Sequence, residues 1–109
     1  MLVFLVLAAS CVNLGEITVS NPDFSKIADG TYRGESKVGP VRVTLDVSVR
    51  NGAIASMQII KHRNGRGKKA EAIVPRMVEA QSLDVDVVSG ATASSKAFML
   101  AAENALSGK

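Results

Sequence analysis

Residues 41–50 constrain this chain more than any other stretch. Val41, Val43, Leu45, Val47 and Val49 alternate without a break with Arg42, Thr44, Asp46, Ser48 and Arg50. A period of two, carried mostly by β-branched residues, puts an apolar row and a polar row on opposite faces of one strand. The apolar row must be covered, so an all-helical fold is excluded. Asn51-Gly52 follows at once. Both central positions of a type I′ turn need positive φ, and Asn-Gly meets that need at little cost. Residues 53–61 are therefore expected to return as an antiparallel partner. Upstream, Asp29-Gly30 introduces a short strand over 31–37, and Gly39-Pro40 turns it into the central one. The expectation is an antiparallel meander of three or more strands.

The second half of the chain changes period. His62, Arg63, Asn64, Gly65, Arg66, Gly67, Lys68 and Lys69 form a basic, Gly-rich stretch that reads as a loop. Ala70, Ile73, Val74, Met77 and Val78 then recur at helical spacing. Pro75 interrupts them, which gives either a kinked helix or two short segments with Pro75 opening the second. The Asp/Val run 83–88 is either extended or a turn. From about Ser94 to Ser107, a last helix lines up Ala97, Phe98, Ala101, Ala105 and Leu106, and Gly108 ends it. Strands first and helices after give an α+β fold, a small antiparallel sheet with the C-terminal helices packed on one face. The expected core holds Val43, Leu45, Val47, Met77, Phe98 and Leu106, with Met57 and Met99 beside them.

Composition narrows the function classes. A chain of 109 residues builds one small domain. Aromatic residues make up 4% and Trp is absent, which argues against a base-stacking nucleic-acid module. Thirteen basic against ten acidic residues is a mild excess, so no nucleic-acid partner is expected. A single Cys forbids an internal disulfide, and with a single His no zinc site of the usual Cys/His kind fits, so no metal is expected.

The N-terminus reads as a targeting segment. Residues 2–9 are an unbroken apolar run, too short for the ~18–20 residues of a spanning helix and suited to the core of a secretory signal. Ala8, Ala9 and Ser10 precede Cys11, and small residues before a Cys resemble the lipobox of bacterial lipoproteins. That resemblance implies lipidation of Cys11 and anchoring in membrane lipid. No Lys or Arg precedes the run, and a plain signal peptide or a structural strand are the other readings. The expected organisation is a signal peptide over 1–10, a tether or adapting first element over 11–28, and a folded domain over 29–109.

The stretch with most chemistry is Asp86-Val87-Val88-Ser89-Gly90-Ala91-Thr92-Ala93-Ser94-Ser95. It is a small-residue turn leading into a helix. Read from the residues alone, its hydroxyls are either an N-cap or part of a phosphate site built on unpaired N–H groups and the positive end of the helix dipole.

Asp-Val-Val-Ser-Gly-Ala-Thr resembles the flavinylation motif of the FMN-binding domain family: Asp, two variable residues, Ser or Thr, Gly, Ala, then Thr. The family includes the C subunit of the sodium-pumping NADH:quinone oxidoreductase and the G subunit of the Rnf complex. The resemblance runs from about Asp29 to Leu106 and takes in Asp29-Gly30-Thr31-Tyr32-Arg33-Gly34, the Asn51-Gly52 turn, His62, Gln81-Ser82 and the segment Ala101–Leu106. The chain departs from many members after His62, where Arg63-Asn64-Gly65-Arg66-Gly67 replaces an acidic-Thr-Pro-Gly loop.

The resemblance implies FMN joined through a phosphoester to the Thr92 hydroxyl, installed by a flavin transferase from FAD with a divalent metal. It implies an exported electron carrier, serving membrane or extracytoplasmic redox proteins, more readily than an enzyme. Two alternatives stand beside it: a flavin-dependent reductase component acting on a small acceptor, and a cofactor-free binding module of the same fold. Asp86 either orients the motif, is read by the transferase, or is a turn carboxylate. Ser89, Gly90 and Ala91 either approach the phosphate or form the turn. Tyr32 is either a flavin wall or core. His62 is either a flavin-site residue with a proton role or a polar rim residue. Lys61, Arg63, Arg66, Lys68 and Lys69 are either a solvated loop or a surface for phosphate, anionic lipid or a redox partner.

Overall fold

The computed structural model describes residues 19–63 and 68–107. The expected signal segment and the tether up to residue 18, Cys11 included, lie outside the described residues, as do Arg66 and Gly108. Three strands, β1 (Gly30–Val38), β2 (Val41–Arg50) and β3 (Ala53–Arg63), form an antiparallel sheet in the order β1-β2-β3. Three helices follow: α1 (Lys68–Glu71), α2 (Ile73–Ala80) and α3 (Thr92–Ser107). Fold class and sheet topology are those expected.

The alternation of β2 drives the arrangement. Val41, Val43, Leu45, Val47 and Val49 are all buried, and α3 lies across them and across β1. Burying each such side chain contributes about 1.5–3 kcal/mol. The β2–β3 turn has Asn51 at φ 53 and Gly52 at φ 74, the conformation that selected this pair. β3 outruns its expected end at residue 61 because it carries two extra residues. Ile60 and Ala55 are skipped where the register with β2 shifts. These bulges break the simple alternation of β3 yet keep Ile54, Met57, Ile59 and His62 at least partly covered.

The helical stretch resolves into two segments divided at Ala72, and Pro75 is the third residue of α2. A first-turn N–H has no intrahelical acceptor, so proline costs no bond there. At the other end of α2, Gln81 adopts φ 53 and its side-chain amide bonds both Ile54 N (2.8 Å) and Ile54 O (2.9 Å). That amide stands in for a strand and ties α2 to β3. Residues 83–88 have no regular structure.

α3 approaches β1 closely because both surfaces are small. Ala97, Ala101 and Ala105 face the sheet, and a Cβ at Gly34 would fall inside contact with the Ala101 carbonyl and the Ala105 backbone. A glycine within a strand often marks such an approach. Leu106 is only half-buried, because Ala105 takes the inward position expected for it. Residues 19–28 are laid against the domain: Val19 is buried and Asn21 Oδ1 accepts a hydrogen bond from Leu83 N (2.6 Å). Among the described residues no helix is long and apolar enough to cross a membrane.

Candidate functional site

The motif forms a turn that is clamped from behind. Gly90 has φ +78, a left-handed conformation that side chains resist. The turn closes with Ala91 N bonding Val88 O (2.9 Å), and α3 begins with Ser95 N bonding Ala91 O (2.9 Å). Ser95 is fully buried, and its Oγ accepts from Val88 N (3.0 Å). One hydroxyl inside the helix thus holds the turn that precedes it. From the outside, Arg76 on α2 donates to the carbonyls of Asp86 (3.1 Å) and Val87 (3.4 Å).

This clamp sets Thr92 as the first residue of α3, half-buried at its mouth. The helix starts two residues earlier than the sequence suggested. Ala91, just before it, has no side-chain oxygen to cap the first turn. Ser89 and Gly90 are exposed and Ala91 is buried. The Asp86 carboxylate is exposed and makes no hydrogen bond among the described residues. A depression of about 570 Å³ touches the motif at Asp86, bounded by Arg76 and Glu79 of α2.

A cation stands at the turn. A Cβ at Gly90 would lie 3.1 Å from Lys69 Nζ, so any side chain there would displace that ammonium. Within the basic stretch 61–69, sequence reasoning could not single out Lys69, and it missed Arg76, because both depend on where α1 and α2 pack.

The remaining candidates lie elsewhere. Ser36 Oγ bonds Ala97 O, while Gly34 faces Ala101 and Ala105, so α3 runs antiparallel to β1. Thr92 therefore lies toward the β1–β2 turn and Tyr32 toward the opposite end. The offset is about 13 Å of strand plus about 8 Å of helix. Tyr32 is half-buried and its hydroxyl bonds Ala28 O. The structure does not bring it to the motif. His62 shares a cross-strand row with Val43 and Ser36, and its ring meets Phe98 edge-on at 4.7 Å between centroids. Its side chain is 5% exposed, with Nδ1 3.4 Å from Glu71 Oε2. Nε2 is buried without a hydrogen-bond partner among the described residues. His62 thus sits behind α3 and not on an open wall beside Thr92.

Comparison with known proteins gives this geometry a context. The family model described as the FMN-binding domain matches residues 37–107. The chain belongs to the FMN-binding domain family. The domain is also 31% identical over 85 residues to an uncharacterised protein of Treponema pallidum (strain Nichols), a match covering 75% of this chain and 24% of that protein. The chain thus spans about a quarter of that relative's length. The FMN-binding domain is a flavin-binding module of the kind used in electron transfer.

The residues present fit the phosphate group of FMN. The open Gly90 turn, the Lys69 ammonium over it and the mouth of α3 together supply backbone room and positive potential at Thr92 and two residues before it.

Proposed function

We propose that this domain carries FMN covalently, as a phosphoester on the Thr92 hydroxyl. The observation that carries the reading is the position of Thr92 itself. It is the first residue of α3, half-buried, two residues after a left-handed glycine crowned by Lys69. A hydroxyl at a helix mouth is open to a transferase, whereas one inside the helix, such as Ser95, is not. Bound FMN supplies one- and two-electron redox chemistry.

The chain's own residues do the rest. Lys69 and the first-turn N–H groups hold the single charge of a phosphodiester. Gly90 and Ala91 leave room for it, and Ser89 and Asp86 form the exposed approach to the hydroxyl. Arg76 and Ser95 fix the turn so that Thr92 stays at the mouth. In this reading a flavin transferase, with a divalent metal, moves the FMN phosphoryl from FAD to the Thr92 oxygen. The pyrophosphate bond breaks, AMP leaves, and the hydroxyl gives up its proton. The domain then passes electrons between membrane or extracytoplasmic redox proteins, held at the membrane by lipid on Cys11. A covalent cofactor suits such a site, because a diffusible one would be lost from it.

The test is co-expression of the full chain with a flavin transferase, read by flavin fluorescence on a denaturing gel. Wild-type protein gives a fluorescent band. Thr92→Ala gives none while keeping its circular dichroism spectrum. A fluorescent Thr92→Ala band, or a dark wild-type band, overturns the assignment.

A further inference from the structure

The face of the sheet turned away from α3 carries its charges unevenly. Strand register arranges this face in cross-strand rows. The row nearest the β1–β2 turn is Lys37, Arg42 and Arg63, and the next is Glu35, Thr44 and Lys61. One row further, charge is matched: Arg33 Nε lies 2.7 Å from Asp46 Oδ1, and the hydrogen bond from Arg33 holds the Asp46 carboxyl below its ordinary pKa. The first row has no such match. Three cations stand side by side on strands about 4.8 Å apart, and like charges directly opposite are destabilising.

Lys37, Arg42, Lys61 and Arg63 are all exposed, and none forms an ion pair among the described residues. A cleft of about 520 Å³ opens over these two rows and is lined by all six residues. Four cations against one carboxylate give it a net charge of +3, as much as the formal charge of the whole chain. This row is also at the end of the sheet where α3 begins, since Ser36, in the same stretch of β1, bonds Ala97 near the start of that helix.

We propose that this cationic end of the outer sheet face is a docking surface for a protein partner that presents a patch of carboxylates. Charge complementarity selects the occupant. A grid of cations on rigid strands matches carboxylates on another folded surface, and a charged contact of this kind steers encounter and keeps the complex short-lived. An anionic membrane fits less well. Glu35 sits within the patch, and Ile60, at 40%, is the one exposed large apolar residue among the described residues, whereas membrane-surface binding wants an apolar face to bury. Docking stands on the charges alone. That the docked protein exchanges electrons with the flavin rests on the reading above.

The experiment uses the full chain as Thr92→Ala, so that its result does not depend on flavin. The probes are an immobilised synthetic peptide of about ten alternating Asp and Glu residues, and vesicles of roughly 30% phosphatidylglycerol in phosphatidylcholine. The peptide is expected to bind, more weakly as salt rises from about 50 to about 200 mM. Lys37→Glu with Arg42→Glu should lower that affinity at least about tenfold, while Lys26→Glu with Arg50→Glu, equal in charge but away from the cleft, should lower it less than about threefold. Three results overturn the proposal: no peptide binding, equal losses in the two double variants, or vesicle binding that depends on Lys37 and Arg42 while the peptide is ignored.

Discussion

Replacing Gly34 by alanine adds one methyl group at the tightest point of the molecule. The new Cβ would meet backbone only: the Ala101 carbonyl, the Ala105 nitrogen, and Ala105 Cα at 2.7 Å. Carbon atoms rest at about 3.5–4.0 Å, so α3 must withdraw from β1 by roughly 1 Å. A gap of that size forfeits a quarter to a half of each contact's dispersion well, at about 0.1–0.2 kcal/mol per atom pair. Over roughly forty pairs along this face the loss is about 1–4 kcal/mol, in line with about 1–3 kcal/mol for overpacked cores. Neither neighbour can swing aside as a side chain would, so the upper half applies, about 3 kcal/mol. For a domain of this size that lowers the melting temperature by about 12–24 °C. Far-UV circular dichroism during a thermal ramp reads the change. Gly39→Ala is the control: its φ is +60 but nothing lies within 4 Å, so it should cost only about 1 kcal/mol of backbone strain. A Gly34→Ala protein that melts within about 4 °C of wild type, or above Gly39→Ala, refutes the reasoning.

Two further outcomes follow from single side chains. Ser95→Ala leaves the buried Val88 N–H without its acceptor and should destabilise the domain by about 1–3 kcal/mol in denaturant titration, with faster amide exchange at Val88; unchanged exchange there would show that the hydroxyl does not hold the turn. Asp46 has a lowered pKa through Arg33, so its contribution is complete above the ordinary carboxylate range and is lost as pH falls through the lowered value. Asp46→Asn should therefore melt below wild type at neutral pH and converge with it in acid, and parallel melting curves across that range would dismiss the pairing.

Much of the sheet was legible because its signals are local. The β2 alternation and the Asn51-Gly52 turn specify strand, face and register within a dozen residues. β3 was less so, because a bulge at Ile60 shifts the alternation and only pairing with β2 reveals it. At the motif, a run of Ser and Thr suggests a cap, yet Ser94 and Ser95 lie inside α3 and are buried. Ser95 reaches back seven residues to Val88, which no capping pattern describes. Lys69 and Arg76 reach the motif only through the packing of α1 and α2, so spacing along the chain gave no clue to them. Tyr32 sits in a stretch that resembles the family's opening, but the antiparallel run of α3 carries it away from Thr92. Gly34 was readable in principle, as a glycine within a strand, although its partner helix was not.

The way the first described residues join the domain has a mechanical side. Val19 is buried, Ser20 N meets Glu103 Oε1 (3.4 Å), and Asn21 is bonded to Leu83. Load entering along the chain at Val19 is taken up by the second half of α3 and by Leu83, not by an edge strand that could be unzipped. Glu103 lies eleven residues beyond Thr92, about 16 Å along the helix. The attachment therefore acts as a pivot with Thr92 at the tip of the arm. A domain moored there would sweep its Thr92 end through a wide arc while its fixed end stayed near the mooring.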